Sequence, residues 1–196
     1  MTIDVVQEDA ASLEDYARVP IAFEVREIVE PVREAARDGF SLVSRVVETP
    51  WVKDYDAHDG PLGWPSRFDL SHWGFFAARV DGARVGGAAV VFGASDVELL
   101  AGRRDVALLW DIRVRPDARG RGVGAALIAS AERWSATNGA QWLEVETQNV
   151  NVPACRFYER MGFVLREINP GAYPSLPGEV QLLWYKRMRS DSLGRG

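Results

Sequence analysis

LLWDIRVRPDARGRGVGAALIASA, Leu108 to Ala131, is the stretch whose reading decides the fold. An apolar, strand-like run from Leu108 to Val114 leads into a Pro-Asp turn. Arg119-Gly120-Arg121-Gly122-Val123-Gly124 follows, and then a run of small and apolar residues that reads as a helix. Strand, glycine-rich turn and helix start in that order make a phosphate site. The first amides of a helix have no intrahelical partner, and the helix dipole favours negative charge there. Glycine lets backbone approach an anion closely, and Arg119 and Arg121 add positive charge.

A second stretch lies one strand further on: Asn151-Val152-Pro153-Ala154-Cys155-Arg156-Phe157-Tyr158-Glu159-Arg160-Met161-Gly162-Phe163. The first stretch resembles motif A of the GCN5-related N-acetyltransferases (GNAT), Arg/Gln-x-x-Gly-x-Gly/Ala, with Arg119, Gly122 and Gly124 at its fixed positions. The second is similar to that family's Asn-x-x-Ala-x-x-x-Tyr-x-x-x-Gly-Phe segment. The resemblance is best from Trp73 to Lys186. It implies a mixed central sheet of about seven strands flanked by helices, with a cofactor cleft between the two central strands.

The glycine-rich turn also fits the dinucleotide fingerprint G-x-G-x-x-G/A over Gly120 to Ala125, with Glu144 24 residues past Gly120. Two features count against that reading. Arg115 to Arg119 intervene between the strand and the first glycine, and too little chain follows for a doubled βαβ sheet.

Length and apolar content fit one α/β domain spanning residues 1–196. The net charge of −5 disfavours a general nucleic-acid role. The lone Cys155 excludes an internal disulfide, and with only His58 and His72 as imidazoles no metal site is expected. The acidic N-terminus lacks a secretory pattern and no run reaches membrane-spanning length, so a cytoplasmic protein without membrane partners is expected.

In chain order, residues 1–19 read as a loose arm or a first strand at Ile3 to Val6. Strands are expected over Ile21 to Ile28 and Phe40 to Val47, with a helix over Pro31 to Arg37 ended by Gly39. Thr49 to Ser71, rich in Pro, Gly and Trp, reads as a long loop, either a binding wall or a surface loop anchored by Trp51 and Trp64. Trp73 to Val80 and Val85 to Phe92 form a hairpin about Asp81-Gly82. After the glycine-rich helix, which stops at Asn138-Gly139, strands are expected over Gln141 to Glu146, Phe163 to Ile168 and Val180 to Lys186. A helix with Pro153 in its first turn follows the first of these. Residues 189–196 read as a disordered tail.

The resemblance implies acetyl coenzyme A as cofactor. The amides of Arg119, Gly120, Arg121, Gly122, Val123, Gly124 and Ala125 would take its pyrophosphate. Backbone at Ile112, Arg113 and Val114 would polarise the thioester carbonyl in the manner of an oxyanion hole. Asn151 and Ala154 would meet the pantetheine arm, although a helix N-cap is the stronger physical reading of Asn151. Tyr158 would donate a proton to the departing thiolate, since a tyrosine's ordinary pKa of about 10 keeps it protonated. Cys155 reads as a packed residue, with no histidine in either motif to activate it. The general base is left open among Asp111, Glu144 and Glu146. Of these, Glu146, next to Thr147-Gln148, is best placed for an open site.

A narrower resemblance is to the streptothricin acetyltransferase group of that family. It is carried by Glu146-Thr147-Gln148-x-x-Asn151-Val152-Pro153-Ala154-Cys155, Phe23-x-Val25-Arg26-Glu27, Gly39-Phe40-x-Leu42 and Lys53-Asp54-Tyr55. It implies a small cationic amine as acceptor, with Asp54, Tyr55, Asp56, Trp110 and Glu144 as substrate-side candidates. Trp110 stands where that group commonly carries a glutamate. Two other functions fit the same motifs: acetylation of a protein N-terminus or lysine, and a non-catalytic acyl-CoA-binding module. A homodimer is expected by analogy alone.

Overall fold

Asp81 and Gly82 both take positive φ, 49° and 78°. Two such residues in a row match the right-handed twist of the flanking strands. They therefore close a tight hairpin between β4 (Trp73–Val80) and β5 (Ala83–Val91) in the computed structural model. The structure describes residues 2–33 and 39–188, apart from the side chain of His58. The chain divides into two compact units. Among the described residues the first comprises 2–20, 59–143 and 187–188, the second 21–33, 39–58 and 144–186.

The first unit holds four antiparallel strands in the order β1 (Ile3–Glu8), β4, β5 and β6 (Val106–Val114). The opening of the chain is therefore a strand, not a loose arm. A 3-10 turn over Ala10–Ser12, capped by the Asp9 carboxylate, and the short helix α1 (Leu13–Ala17) follow it. The helix α3 (Val123–Thr137) packs against β4, β5 and β6. Gly86 and Gly87 let the two faces of β5 be approached closely. A Cβ on Gly86 would stand 3.1 Å from Val123 of α3, and one on Gly87 would stand 2.5 Å from the Tyr16 ring of α1. The contact at Gly87 is closer than real Cβ atoms show, and the one at Gly86 is tighter than nine in ten of them.

β6 carries an irregularity in its pairing with β5. Val90 pairs with Leu109 and Ala89 with Asp111, so Trp110 is an extra residue, a β-bulge. Trp110 joins the core cluster that holds Leu108, Trp64 and Trp73. Its ring lies 5.3 Å from Trp73 and 5.1 Å from Phe68. Each large apolar side chain buried in such a cluster contributes about 1.5–3 kcal/mol.

The second unit holds most of β7 (Trp142–Gln148) and of β9 (Gln181–Arg187) together with β8 (Val164–Asn169), in the order β7, β9, β8. With the four strands of the first unit these make seven, as expected for a mixed α/β protein. The helix α4 (Val152–Arg160) has Pro153 in its first turn and ends near Met161. A separate antiparallel ribbon joins β2 (Phe23–Arg33) to β3 (Phe40–Lys53). Arg156 of α4 holds this ribbon with a forked pair to Glu27, at 2.7 and 2.9 Å.

The ribbon corrects two expectations. Pro31, Val32 and Arg33 are strand, paired with Leu42, Ser41 and Phe40, so a helix does not start at Pro31. Proline is tolerated because a two-stranded ribbon has an outer edge where no N–H is required. The rest of that expected helix lies outside the described residues, as does the 189–196 tail. The loop expected from Thr49 instead starts as strand, since Trp51 pairs with Val25 and Lys53 with Phe23. Within β3 the register shifts between Val46 and Trp51, where residues 47–50, including Pro50, stand opposite Arg26 alone as a bulge in the strand. Beyond β3 come the short helix α2 (Asp56–Asp59) and a 3-10 segment over Pro61–Ser66 in which Trp64 is buried. Among the described residues no helix is long and apolar enough to cross a membrane.

Candidate active site

In the first unit, β6 ends at Val114 and a 3-10 turn over Pro116–Ala118 carries the chain to the glycines. Gly120 and Gly122 take φ of 72° and 86°, which side-chain-bearing residues rarely adopt. Gly122 is the N-cap of α3, and its carbonyl accepts from Ala126 N–H at 3.0 Å. The amides of Val123, Gly124 and Ala125 precede the first intrahelical donor, so they point out of the helix end. No side chain caps them. Arg119 donates through Nε to the Val114 carbonyl at 3.0 Å and so ties the turn to the end of β6. Its role is thus partly positional, whereas Arg121 is exposed and adds charge. This donor set fits a pyrophosphate: free amides at a helix N-terminus, glycine backbone and guanidinium charge.

Asp111, Arg113 and Tyr16 form a buried group in the same unit. Residues two apart on a strand share a face, so Asp111 meets Arg113. Arg113 donates to both carboxylate oxygens, at 2.9 and 2.8 Å, and to the Val19 carbonyl at 3.1 Å. The Tyr16 hydroxyl donates to Asp111 Oδ1 at 2.5 Å. Burial and the Asp111 carboxylate push the Tyr16 phenol well above its ordinary pKa, which keeps it a donor. Trp110 sits in the aromatic core of this unit.

In the second unit, Glu146 lies at the hub of a hydrogen-bond network. It accepts from the Tyr173 hydroxyl, from Gln181 Nε2 at 2.9 Å, and weakly from Gln148 Nε2 at 3.4 Å. Gln148 also donates to Tyr173 at 3.0 Å and accepts from the Tyr55 hydroxyl. Burial raises the Glu146 carboxyl above its ordinary value, and the bonds from Tyr173 and Gln181 only partly oppose this. Burial first, and carboxylates nearby, push both Tyr55 and Tyr173 far up, so both remain donors.

Asn151 caps α4, its Oδ1 accepting from Ala154 N–H at 3.2 Å, while its Nδ2 faces the Tyr55 hydroxyl at 3.4 Å. Tyr158 is buried on α4, its ring edge-on to Phe163 at 5.4 Å. Cys155 is buried beside Thr147, and burial pushes its thiol up to about 11. Glu144 is fully buried in β7, so it lies away from solvent, unlike Glu146 two residues on. Asp54 is exposed and accepts from the Asp56 amide, at the start of α2.

The structure therefore gathers Glu146, Tyr55 and Asn151 into one network and gathers Asp111 with Arg113 into another. Tyr173 and Gln181 were not singled out from the sequence. Tyr173 stands in a Pro/Gly-rich loop and Gln181 opens a strand, and neither position carries a motif. Tyr16, in the short helix α1, was likewise silent.

The chain belongs to the GNAT acetyltransferases: the model of the Acetyltransferase (GNAT) family matches residues 41–163. It is accordingly an N-acetyltransferase that uses acetyl coenzyme A. Among individual proteins, it is 31% identical to the streptothricin acetyltransferase of Escherichia coli over 188 residues, covering 94% of this chain and 95% of that one. It is 32% identical to the Streptomyces lavendulae streptothricin acetyltransferase over 157 residues, 77% of each chain. The crystal structure of a nourseothricin acetyltransferase superposes with a TM-score of 0.74 at 26% identity, over 96% of this chain and 100% of that chain. A Bacillus anthracis structure solved with acetyl coenzyme A shares the fold, with a TM-score of 0.78 at 23% identity over 96% and 100%.

Proposed function

We propose that this protein acetylates a primary amine of a small cationic molecule by direct transfer, and that a streptothricin-type antibiotic is its acceptor. The observation that carries this reading is the length of the likeness. It extends through nearly the whole chain of the E. coli streptothricin acetyltransferase and not only through the cofactor motifs.

Glu146 is the general base of the proposal. An amine such as that of lysine must lose a proton near pKa 10.4 before it attacks. A carboxylate raised by burial is a better proton acceptor than an ordinary one. Tyr173 and Gln181 orient it. Asp111 is assigned a positioning role, because both its oxygens already accept from Arg113. Gly120 to Ala125 would hold the pyrophosphate of acetyl coenzyme A, which supplies the acetyl group as a thioester. Tyr158 holds the proton that the thiolate takes up on leaving. A thiol pushed up to about 11 is mostly protonated at neutral pH, which argues against Cys155 as an acetyl carrier.

The test is thiol release from acetyl coenzyme A across streptothricin, simple polyamines, lysine and peptides. Strong turnover with streptothricin supports the reading, and turnover on peptides alone overturns the acceptor. Silence across the panel, with coenzyme A still raising the Tm, favours a binding module.

A further inference from the structure

Arg79 and Arg84 are directly opposite each other across the β4–β5 hairpin, because the register slips by one residue at Val85. Like charges in such a pair repel unless a counter-charge joins them. Here the joining group is one carboxylate. Glu8 accepts from Arg79 at 2.9 Å and from Arg84. Burial pushes the Glu8 carboxyl up, but the two guanidinium bonds outweigh it and hold the pKa below its ordinary value. Two guanidinium groups thus share a single negative charge. Arg84 is only 10% exposed, and its Nη1 is buried with no hydrogen-bond partner among the described residues. A buried, unsatisfied charged donor costs stability unless something meets it.

Arg84 lines an open cleft of roughly 500 Å³ in the first unit. Arg79, Arg18 and Arg115 line it too, with Val19 and Pro116 as apolar wall. Asp15 is its one acidic lining residue and is already paired with Arg18 at 2.7 Å. Arg115 is paired with Asp117 at 2.5 Å and remains 41% exposed. Four guanidinium groups therefore face three carboxylates, a local positive excess in a chain whose net charge is −5.

We propose that this cleft is an anion site for a phosphomonoester, with Arg84 as its buried donor and Arg79 and Arg115 completing the grip. A phosphate alone would leave much of the volume empty, so the ligand carries an organic body against Val19 and Pro116. Two sources share this chemistry: the 3′-phosphate of coenzyme A, or the phosphate of a separate small molecule. Pro116 and Arg115 belong to the turn that leads to the glycine cradle, which keeps the first source in play.

The experiment titrates inorganic phosphate by calorimetry into the full-length protein saturated with dephospho-coenzyme A, which fills the cradle but lacks the 3′-phosphate. Ionic strength is matched with sodium chloride. Phosphate is expected to bind, and Arg84→Gln to weaken it at least tenfold. Arg115→Gln, at the exposed rim, is expected to weaken it about threefold with the Tm unchanged, which guards against misfolding of the buried variant. Repeating the titration with coenzyme A identifies the source. Competition assigns the site to the cofactor's own phosphate, and unchanged binding assigns it to a separate ligand. No phosphate binding beyond the chloride control, or equal affinity in wild type and both variants, overturns the proposal.

Discussion

Asp111 and Arg113 offer the sharpest test of the role assigned to each carboxylate. Asp111→Leu takes the carboxylate from a guanidinium that is 2% exposed, and removes two bonds of 2.9 and 2.8 Å together with the 2.5 Å bond from Tyr16. Breaking a buried pair from one side costs about 3–5 kcal/mol. For a chain of this size each kcal/mol moves the Tm by about 2–4 °C, so a fall of roughly 6–20 °C is expected. Arg113→Leu should cost a similar amount. The double variant should cost much less than the sum, because neither charge is then left buried. Urea unfolding of the four proteins completes the cycle. Asp111→Asn completes the assay on the kinetic side: it should lose stability yet keep the acid limb of the kcat/KM profile. If instead Asp111→Asn abolishes that limb and leaves the urea midpoint where it was, Asp111 is the base and the reasoning is refuted.

Three further predictions follow from the site. Because the Glu146 carboxyl is raised and must be ionised to act, activity should climb with pH through a pKa above the ordinary 4.5, and Glu146→Gln should remove that limb with about a 10²–10⁴-fold loss in kcat. An unshifted limb in Glu146→Gln, followed by initial rates from pH 5 to 9, would count against it. Gly122→Ala forces a side chain into φ 86°, at a cost of about 1–2 kcal/mol, so coenzyme A affinity should drop roughly 5- to 30-fold by calorimetry; an unchanged Kd would mean the cradle tolerates other backbone. Cys155→Ala should keep near-wild-type kcat, and a thiol pushed up to about 11 should react slowly with iodoacetamide at pH 7.5; rapid labelling with loss of activity would reinstate a covalent route.

The strand, turn and helix from Leu108 to Ala131 were legible because each carries a local signal: apolar run, glycines, then small helix formers. The same holds for the Asp81-Gly82 hairpin and for Asn151 as a cap. The β2–β3 ribbon was harder to read. A proline and a run rich in Glu and Ala mimic a helix start, and only pairing with Leu42, Ser41 and Phe40 makes Pro31–Arg33 a strand. The Glu146 network was half legible. Glu146 and Gln148 sit two apart on one strand, so their shared face is implied by alternation. Tyr173 and Gln181 reach Glu146 only through tertiary packing, which no local pattern encodes.

The bulge at Trp110 works as a phase shifter. Before it, Leu108 and Trp110 alternate onto the core face; after it, Asp111 and Arg113 occupy that same face, although a regular strand would turn them to the α3 side. The spacing of residues, more than their identity, thus decides where the polar pair lands. Loss of one residue between Leu109 and Asp111 would rotate the pair away from Tyr16 and carry the run into the glycine cradle out of step. A deletion scan along β6 should therefore be far less forgiving at this point than a substitution scan.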